Sequence, residues 1–281
     1  MIQQLETMVG KLVSLCRYPV KSMLGEEVTE IAVSERGLHG DRAFALIDCA
    51  TGKVGSAKNP RLWPNLFGHA ASFAHDGSDL LSQLCIRLPN GEQLENHSQL
   101  NERLSQSVGR DVELAGLPEA GLPEAGLPKD SAKSEGYWPD DDWLAHRNQV
   151  FEFALPAGTF FDCSPIHIVT SSTLARLQAQ SPASCFAAAR FRPNLVVETI
   201  DQSAGFMENK WLGRELVIGE VTMRIIRSSP RCIMTTLRQT SLPHDSSILR
   251  TAVQANGGNV GVYADVVQSG QIRTGDSVHL R

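Results

Sequence analysis

Short runs of alternating or continuous apolar residues, broken by glycine and proline, dominate this chain. Val13 to Val20 is a partly apolar stretch that closes with Tyr18-Pro19-Val20. Val28 to Val33 alternates, and Arg42 to Asp48 reads as a further strand. Gly37, Gly40, Gly52 and Gly55 punctuate these runs as turns do. Cys85 to Leu88 leads into Pro89-Asn90-Gly91, a strand entering a tight turn. Leu100, Leu104 and Val108 recur at helical spacing within Gln99 to Val108, and Gly109 suits a C-terminal cap. The first part of the chain therefore reads as a small β-rich unit with one helix.

The pattern then lapses. Residues 115–129 are AGLPE, AGLPE, AGLPK, a five-residue repeat too short for a solenoid unit. Gly and Pro in every copy oppose both helix and sheet. Residues 115–136 read as an exposed link. Strand signals resume at Val150-Phe151-Glu152-Phe153 and at Pro165 to Val169. Thr170-Ser171-Ser172 then caps a helix through Leu177. Leu195 to Val197 is a strand. Leu216 to Ile218 and Val221 to Ile226 flank Gly219-Glu220, a hairpin signal. Val260 to Val267 is a strand, and Ile272 to Leu280 turns at Thr274-Gly275-Asp276.

Composition narrows the class. The chain has 281 residues, 42% hydrophobic and 20% charged, which suits a folded protein with a sizeable core. Lys plus Arg is 26 against 31 Asp plus Glu, a net charge of −5, so general nucleic-acid binding is not expected. No apolar run approaches the roughly 18 residues of a spanning helix, and no secretory signal is visible. The six cysteines, Cys16, Cys49, Cys85, Cys163, Cys185 and Cys232, form no CxxC pair and no zinc-type spacing. A cytoplasmic protein with reduced thiols is expected.

Generic catalytic motifs are missing: there is no GxGxxG, Walker A loop, HExxH or GxSxG. Four segments carry candidate chemistry. Tyr18 to Ser22 places a cation and a hydroxyl, Lys21 and Ser22, at a strand end, where they can hold a phosphate or simply form a solvated turn. Gly37 to Arg42 (GLHGDR) allows a tight backbone in which Asp41 could orient an arginine; alone it is a weak signal, and a plain surface turn is the more ordinary reading. Arg190 to Val196 puts Arg192 and Asn194 on one side of a strand, which suits a polar ring, an anion or a surface ion pair. In Pro230-Arg231-Cys232, a cation beside Cys232 favours the thiolate, which binds metals, although a single cysteine is commonly an inert core residue.

The segments YPVKS, GLHGDR, FRPNLVV, Trp211 to Gly219 (W-x-G-x-x-L-x-I-G), PRC-x-MTT and IRTGDSVHL occur here in one order, from about Lys11 to Leu280. Together they resemble the MOSC family with its N-terminal β-barrel domain. The resemblance points to its reductase branch, the mitochondrial amidoxime-reducing component and bacterial reductases of N-hydroxylated compounds. It implies a β-dominated mixed α/β fold: an N-terminal MOSC-type β-barrel domain at 1–114, a flexible linker at 115–145, and a C-terminal MOSC β-barrel with a few helices at 146–281. It implies a molybdenum cofactor, a pterin dithiolene with a phosphate tail. Cys232 would be the metal ligand and catalytic residue. Lys21, Ser22, Arg42, Thr170, Ser171, Ser172, Arg192 and Asn194 would bind the cofactor between the two lobes. A soft thiolate suits molybdenum, and a phosphate-bearing pterin needs cations and hydroxyls.

Two departures bear on this. Ser229 stands where relatives often carry a second cysteine, and the iron–sulfur domain that some bacterial relatives append is not present before Arg281. Reduction of a small N-hydroxylated substrate would then draw electrons from a separate donor protein. The alternatives are a sulfur carrier or cofactor-handling module with a persulfide on Cys232, and a cofactor storage protein.

Overall fold

A computed structural model describes residues 6–75, 79–95, 99–117, 132–136, 150–201, 205–239 and 241–281. The strands of the first half are β1 (Thr7–Arg17), β2 (Glu26–Val28), β3 (Glu30–Ser34), β4 (Gly37–Leu38), β5 (Phe44–Asp48), β6 (Ala70–Phe73), β7 (Leu84–Arg87), β8 (Gln93–Leu94) and β9 (Val112–Gly116). Those of the second half are β10 (Lys133–Gly136), β11 (Phe151–Ala154), β12 (Ile166–Thr170), β13 (Leu195–Thr199), β14 (Glu215–Ile218), β15 (Val221–Pro230), β16 (Asn259–Gln268), β17 (Gly270–Arg273) and β18 (Ser277–Leu280). The β-dominated fold expected from the patterning is the one observed.

Seven strands close a barrel in the order β13–β12–β16–β15–β14–β18–β1, with β1 returning to β13. Closure leaves no open edge in the ring. β1 is long enough to pair on both sides: Leu12 faces Val197 and Leu15 faces Leu195, while Thr7 faces Leu280. A register shift between Leu12 and Ser14 bends it, as bulges do. The β12–β13 pair is parallel, so it needs a crossover, which contains the helix Ser171–Gln180. Inside the ring, alternate residues such as Leu12, Ile168, Leu195, Val197, Leu216, Met223, Ile225 and Val278 form one core.

A second core lies outside the ring, where Phe44, Trp63, Leu66, Leu84, Ile86 and Leu104 pack together. It is covered by the helix Leu100–Val108, which ends at Gly109 in the left-handed conformation, φ 71°. Cys232 and Met234 belong to this second core although they follow a barrel strand. The segment around Cys232 thus joins the two halves.

Three observations refine the reading. First, the barrel draws on both halves of the chain: β1 is a barrel wall, and β3 pairs with β17. Second, the ends of the expected exposed link are structured. Ala115 and Gly116 complete β9 against β5, Leu117 is buried, and β10 pairs with β11. The first repeat copy offers Ala-Gly-Leu before its proline, and Ala115 and Leu117 join a small apolar cluster with Ala45, Val54 and Phe160. Residues 118–131 and 137–149, which hold most of the repeat, lie outside the described residues. Third, a helix at Ser247–Asn256 was not anticipated; it buries Ile248, Leu249 and Ala252 and closes at Gly257, φ 57°.

Candidate functional site

The cleft is built where barrel strands end. β1 stops at Arg17, and Tyr18 to Ser22 leave the wall. Backbone bonds lace that segment to the entry of β5: Arg42 N donates to Tyr18 O (2.8 Å), Phe44 N to Pro19 O (3.0 Å), and Lys21 N to Phe44 O (2.8 Å). Arg192 and Asn194 come just before β13, and Cys232 just after β15. Among the described residues four non-glycine residues have left-handed backbone, and three of them are expected site residues: Ser22 (φ 64°), Arg42 (φ 48°) and Arg192 (φ 53°). Such strain persists only where surrounding structure holds it, and it collects at functional sites.

These segments enclose a cleft of about 720 Å³, its open mouth included, lined by Lys21, Ser22, Arg42, Arg192, Asn194, Arg231 and Cys232 among others. The buried Tyr18 ring supports two of these cations. The Arg42 guanidinium lies 4.7 Å from the ring centroid and that of Arg192 lies 4.2 Å from it. Burial pushes Arg192 down to about 10, against the opposing pull of Tyr18, and raises the Tyr18 phenol well above its usual range. Burial would likewise lower Arg42, but the Asp41 carboxylate in direct contact outweighs it and the net shift is upward.

Asn194 is the hub. Its Nδ2 donates to Cys16 O (3.2 Å) and Asp41 Oδ2 (3.1 Å). Its Oδ1 accepts from His167 N (3.1 Å) and Arg42 Nη1 (3.3 Å). All four amide positions are used, which fixes Arg42 relative to β1 and β12. The Ser22 hydroxyl oxygen accepts from Ala57 N (3.1 Å), which leaves the hydroxyl proton to donate. Lys21 is buried, and its Nζ donates to Phe160 O (2.8 Å) and Asp162 Oδ1 (2.6 Å). Burial pushes Lys21 down to about 8 although Asp162 opposes the shift.

Arg231 spans the far wall. Its Nη1 donates to Ser229 Oγ and its Nη2 to Phe191 O, each at 2.7 Å, while its buried Nε has no partner. Cys232, 7% exposed, lines the cleft with its backbone extended (φ −111°). A soft donor, a cationic rim and an orphaned N–H therefore share one concavity.

Comparison with known proteins identifies the family. Residues 9–113 match the MOSC N-terminal beta barrel domain, and residues 156–279 match the MOSC domain. Mitochondrial amidoxime reducing component 2 of Bos taurus is 32% identical over 308 aligned positions, covering 96% of this chain and 83% of that protein. The chain belongs to the MOSC family. The protein of the same name from Rattus norvegicus is 30% identical over 155 positions, half of this chain and 41% of that protein. Among solved structures, the YUAD protein from Bacillus subtilis aligns over 98% of each chain with 12% identity and a TM-score of 0.47.

In this MOSC chain, not every expected residue reaches the cleft. Lys21, Ser22, Arg42, Arg192, Asn194 and Cys232 line it together; Thr170, Ser171 and Ser172 do not. Thr170 caps its helix and donates to buried Glu208 Oε2 (2.5 Å), to which Thr173 also donates (2.7 Å). Ser172 Oγ lies 3.1 Å from Thr170 Oγ1, and Ser171 Oγ accepts from Thr199 N (3.3 Å). The run therefore satisfies a helix start and a buried carboxyl group. On this side the cleft is lined by Asp162, Cys163 and Ser164, whose Oγ lies 2.9 Å from Ala264 O and 2.7 Å from Asp265 Oδ1. Sequence reasoning passed over those three, and Lys58 and His167. The available signal was Asp162-Cys163-Ser164 leading into the buried strand β12, a polar turn aimed at a barrel mouth.

Among the described residues no group of three or more His, Cys, Asp or Glu could hold a metal ion, and no helix is long and apolar enough to cross a membrane. A metal bound here through Cys232 would need its other donors from a cofactor.

Proposed function

We propose that this cleft holds a molybdenum cofactor and that the protein reduces N-hydroxylated compounds with electrons from a separate donor protein. The observation that carries the reading is the convergence of a buried thiol, Cys232, with Lys21, Ser22, Arg42 and Arg192 in one concavity. Lys21, Arg42 and the Ser22 hydroxyl suit a phosphate tail. Asn194 holds the geometry of the inner wall, and Arg192 suits a polar ring. Cys232 suits the metal as thiolate. The bound group would supply two-electron reduction of an N–O bond: substrate N–OH, two electrons and two protons give N–H and water. Arg231, with its unused Nε–H, is placed to donate to a bound polar atom.

Names of the relatives support the substrate class, and the overlap of both halves at Cys232 supports a cofactor seated between them. The burial of Cys232 favours a ligand over a sulfur carrier, whose persulfide must be reached by a partner. Six free cysteines suit a reducing, cytoplasmic setting.

The test is expression in a cofactor-competent host, followed by molybdenum and pterin analysis and turnover of an amidoxime with a chemical reductant. Wild type is expected to carry both and to turn over. Cys232→Ser is expected to lose molybdenum while keeping its fold, with a melting temperature matching that of wild type purified without cofactor. Normal molybdenum in that variant, or wild type without pterin, refutes the reading.

A further inference from the structure

The cationic wall of the cleft already holds an anion of its own. Asp162 bridges two buried lysines, one carboxylate oxygen to each: Oδ1 lies 2.6 Å from Lys21 Nζ and Oδ2 lies 3.0 Å from Lys58 Nζ. Burial alone would raise the Asp162 carboxyl, but the two lysines hold it far below the usual carboxylate range. Two oxygens of one anion, each on its own ammonium, is also what a phosphate monoester offers, with more charge and a third oxygen.

The trio is asymmetric. The lysine side chains are 5% and 4% exposed, whereas that of Asp162 is 29% exposed. Lys21 is anchored by the Phe160 carbonyl, and Lys58 Nζ lies 4.6 Å from the centre of the Phe153 ring. Asp162 sits in the irregular segment before β12, outside any ladder. The cations are therefore fixed at the floor and the anion lies on the solvent side, where it can swing out. Lys58 adds a further cation to Lys21, Arg42 and Arg192 in the same concavity.

We propose that Asp162 is a displaceable internal counter-ion and that Lys58 is a phosphate ligand: the carboxylate neutralises both lysines until a phosphate monoester takes its place. For the identity of the physiological ligand this rests on the reading above; the exchange itself does not.

The experiment titrates inorganic phosphate into the full chain purified without cofactor, against chloride at equal ionic strength, by calorimetry and by melting temperature. Asp162→Asn removes the competitor, so phosphate is expected to bind about tenfold tighter or more than in wild type. That variant is also expected to melt lower without phosphate and to recover more on adding it, because ligand binding stabilises the native state. Lys58→Gln is expected to bind phosphate about tenfold more weakly. A merely structural ion pair would lower stability in both variants without tightening binding in either. Asp162→Asn binding no tighter than wild type, or Lys58→Gln binding as wild type does, overturns the proposal. If Asp162→Asn does not fold, Lys58→Gln decides alone, since it leaves the Lys21–Asp162 pair intact. The titration uses protein without cofactor and reads phosphate alone, so failure to load molybdenum and failure of the exchange are read separately.

Discussion

Asn194 carries more of the cleft's geometry than any cation in it, and its loss has a calculable cost. Asn194→Leu keeps a side chain of similar reach and removes four hydrogen bonds, to Cys16 O, Asp41 Oδ2, His167 N and Arg42 Nη1. At about 0.5–1.5 kcal/mol net for each, the loss is roughly 2–6 kcal/mol. Added apolar burial returns part of it, so about 3 kcal/mol is expected, a large share of a native stability of about 5–15 kcal/mol. Urea unfolding at fixed m-value measures it. Asn194→Asp separates the roles: it keeps the acceptor, removes both donor bonds, and sets a second carboxylate against Asp41. It is expected to cost at least as much at pH 7 and to recover part of the loss on acidification into the carboxylate range. A Leu variant less than about 1 kcal/mol below wild type would show that the four contacts are not formed together, and the case for a fixed Arg42 would fall with it.

Two further outcomes follow from single residues. Lys21 is held at about 8 in the native state against 10.5 when free, so the unfolded chain binds more protons between these values and stability rises with pH on its account. The rise is up to about 3 kcal/mol from pH 8 to 10.5 and is expected to flatten in Lys21→Met; parallel urea midpoints for the two proteins across that range would contradict it. Gly261→Ala puts a Cβ 2.4 Å from Ile168 O and 2.6 Å from His167 Nε2 at φ 87°, so a loss above about 3 kcal/mol is expected; a melting temperature within a few degrees of wild type would show that β12 yields there.

Local signals were legible where the physics is local. The hairpin at Gly219-Glu220 joins β14 to β15, and Gly109 caps its helix with positive φ, as alternation and turn chemistry require. The helix Ser247–Asn256 carried the same kinds of signal: Ile248, Leu249 and Ala252 on one face, and Gly257 beyond. What a linear reading could not supply is pairing between distant segments. β1 joins β18 and β13 because the ring must close, and no feature of residues 7–17 names those partners. The same holds for the cleft. Lys21, Ser22, Arg42, Arg192, Asn194 and Cys232 stood in recognisable segments. Lys58 and Asp162 are single charges in turns, and only the fold brings them to 3.0 Å. Thr170 to Ser172 misled because a hydroxyl run has two uses, ligand binding and helix capping, and buried Glu208 next to Thr170 takes the second.

The left-handed residues connect fold to function, and Ser22 allows the cost of that connection to be measured. A non-glycine residue in this region costs roughly 1–2 kcal/mol, and the chain bears it at Ser22, Arg42 and Arg192. Each side chain is thereby aimed into the cleft from a turn that the barrel ends hold in place. At Ser22 the hydroxyl also accepts from Ala57 N, so two effects must be separated. Ser22→Ala removes the hydroxyl and keeps the strained φ of 64°. Ser22→Gly removes the hydroxyl and the strain together. Their difference isolates the strain, less the extra chain entropy of glycine when unfolded, which is about 0.5–1 kcal/mol. The glycine variant is therefore expected to be as stable as the alanine variant or up to about 1.5 kcal/mol more stable. Elsewhere in a folded chain, where φ is negative, the same exchange favours alanine. Both variants are expected to bind phosphate more weakly than wild type, since both lack the donor proton. Chemical unfolding and phosphate titration on the pair give both answers. An alanine variant clearly more stable than the glycine variant would mean that Ser22 relaxes to negative φ in solution, and that its hydroxyl is not held toward the cleft.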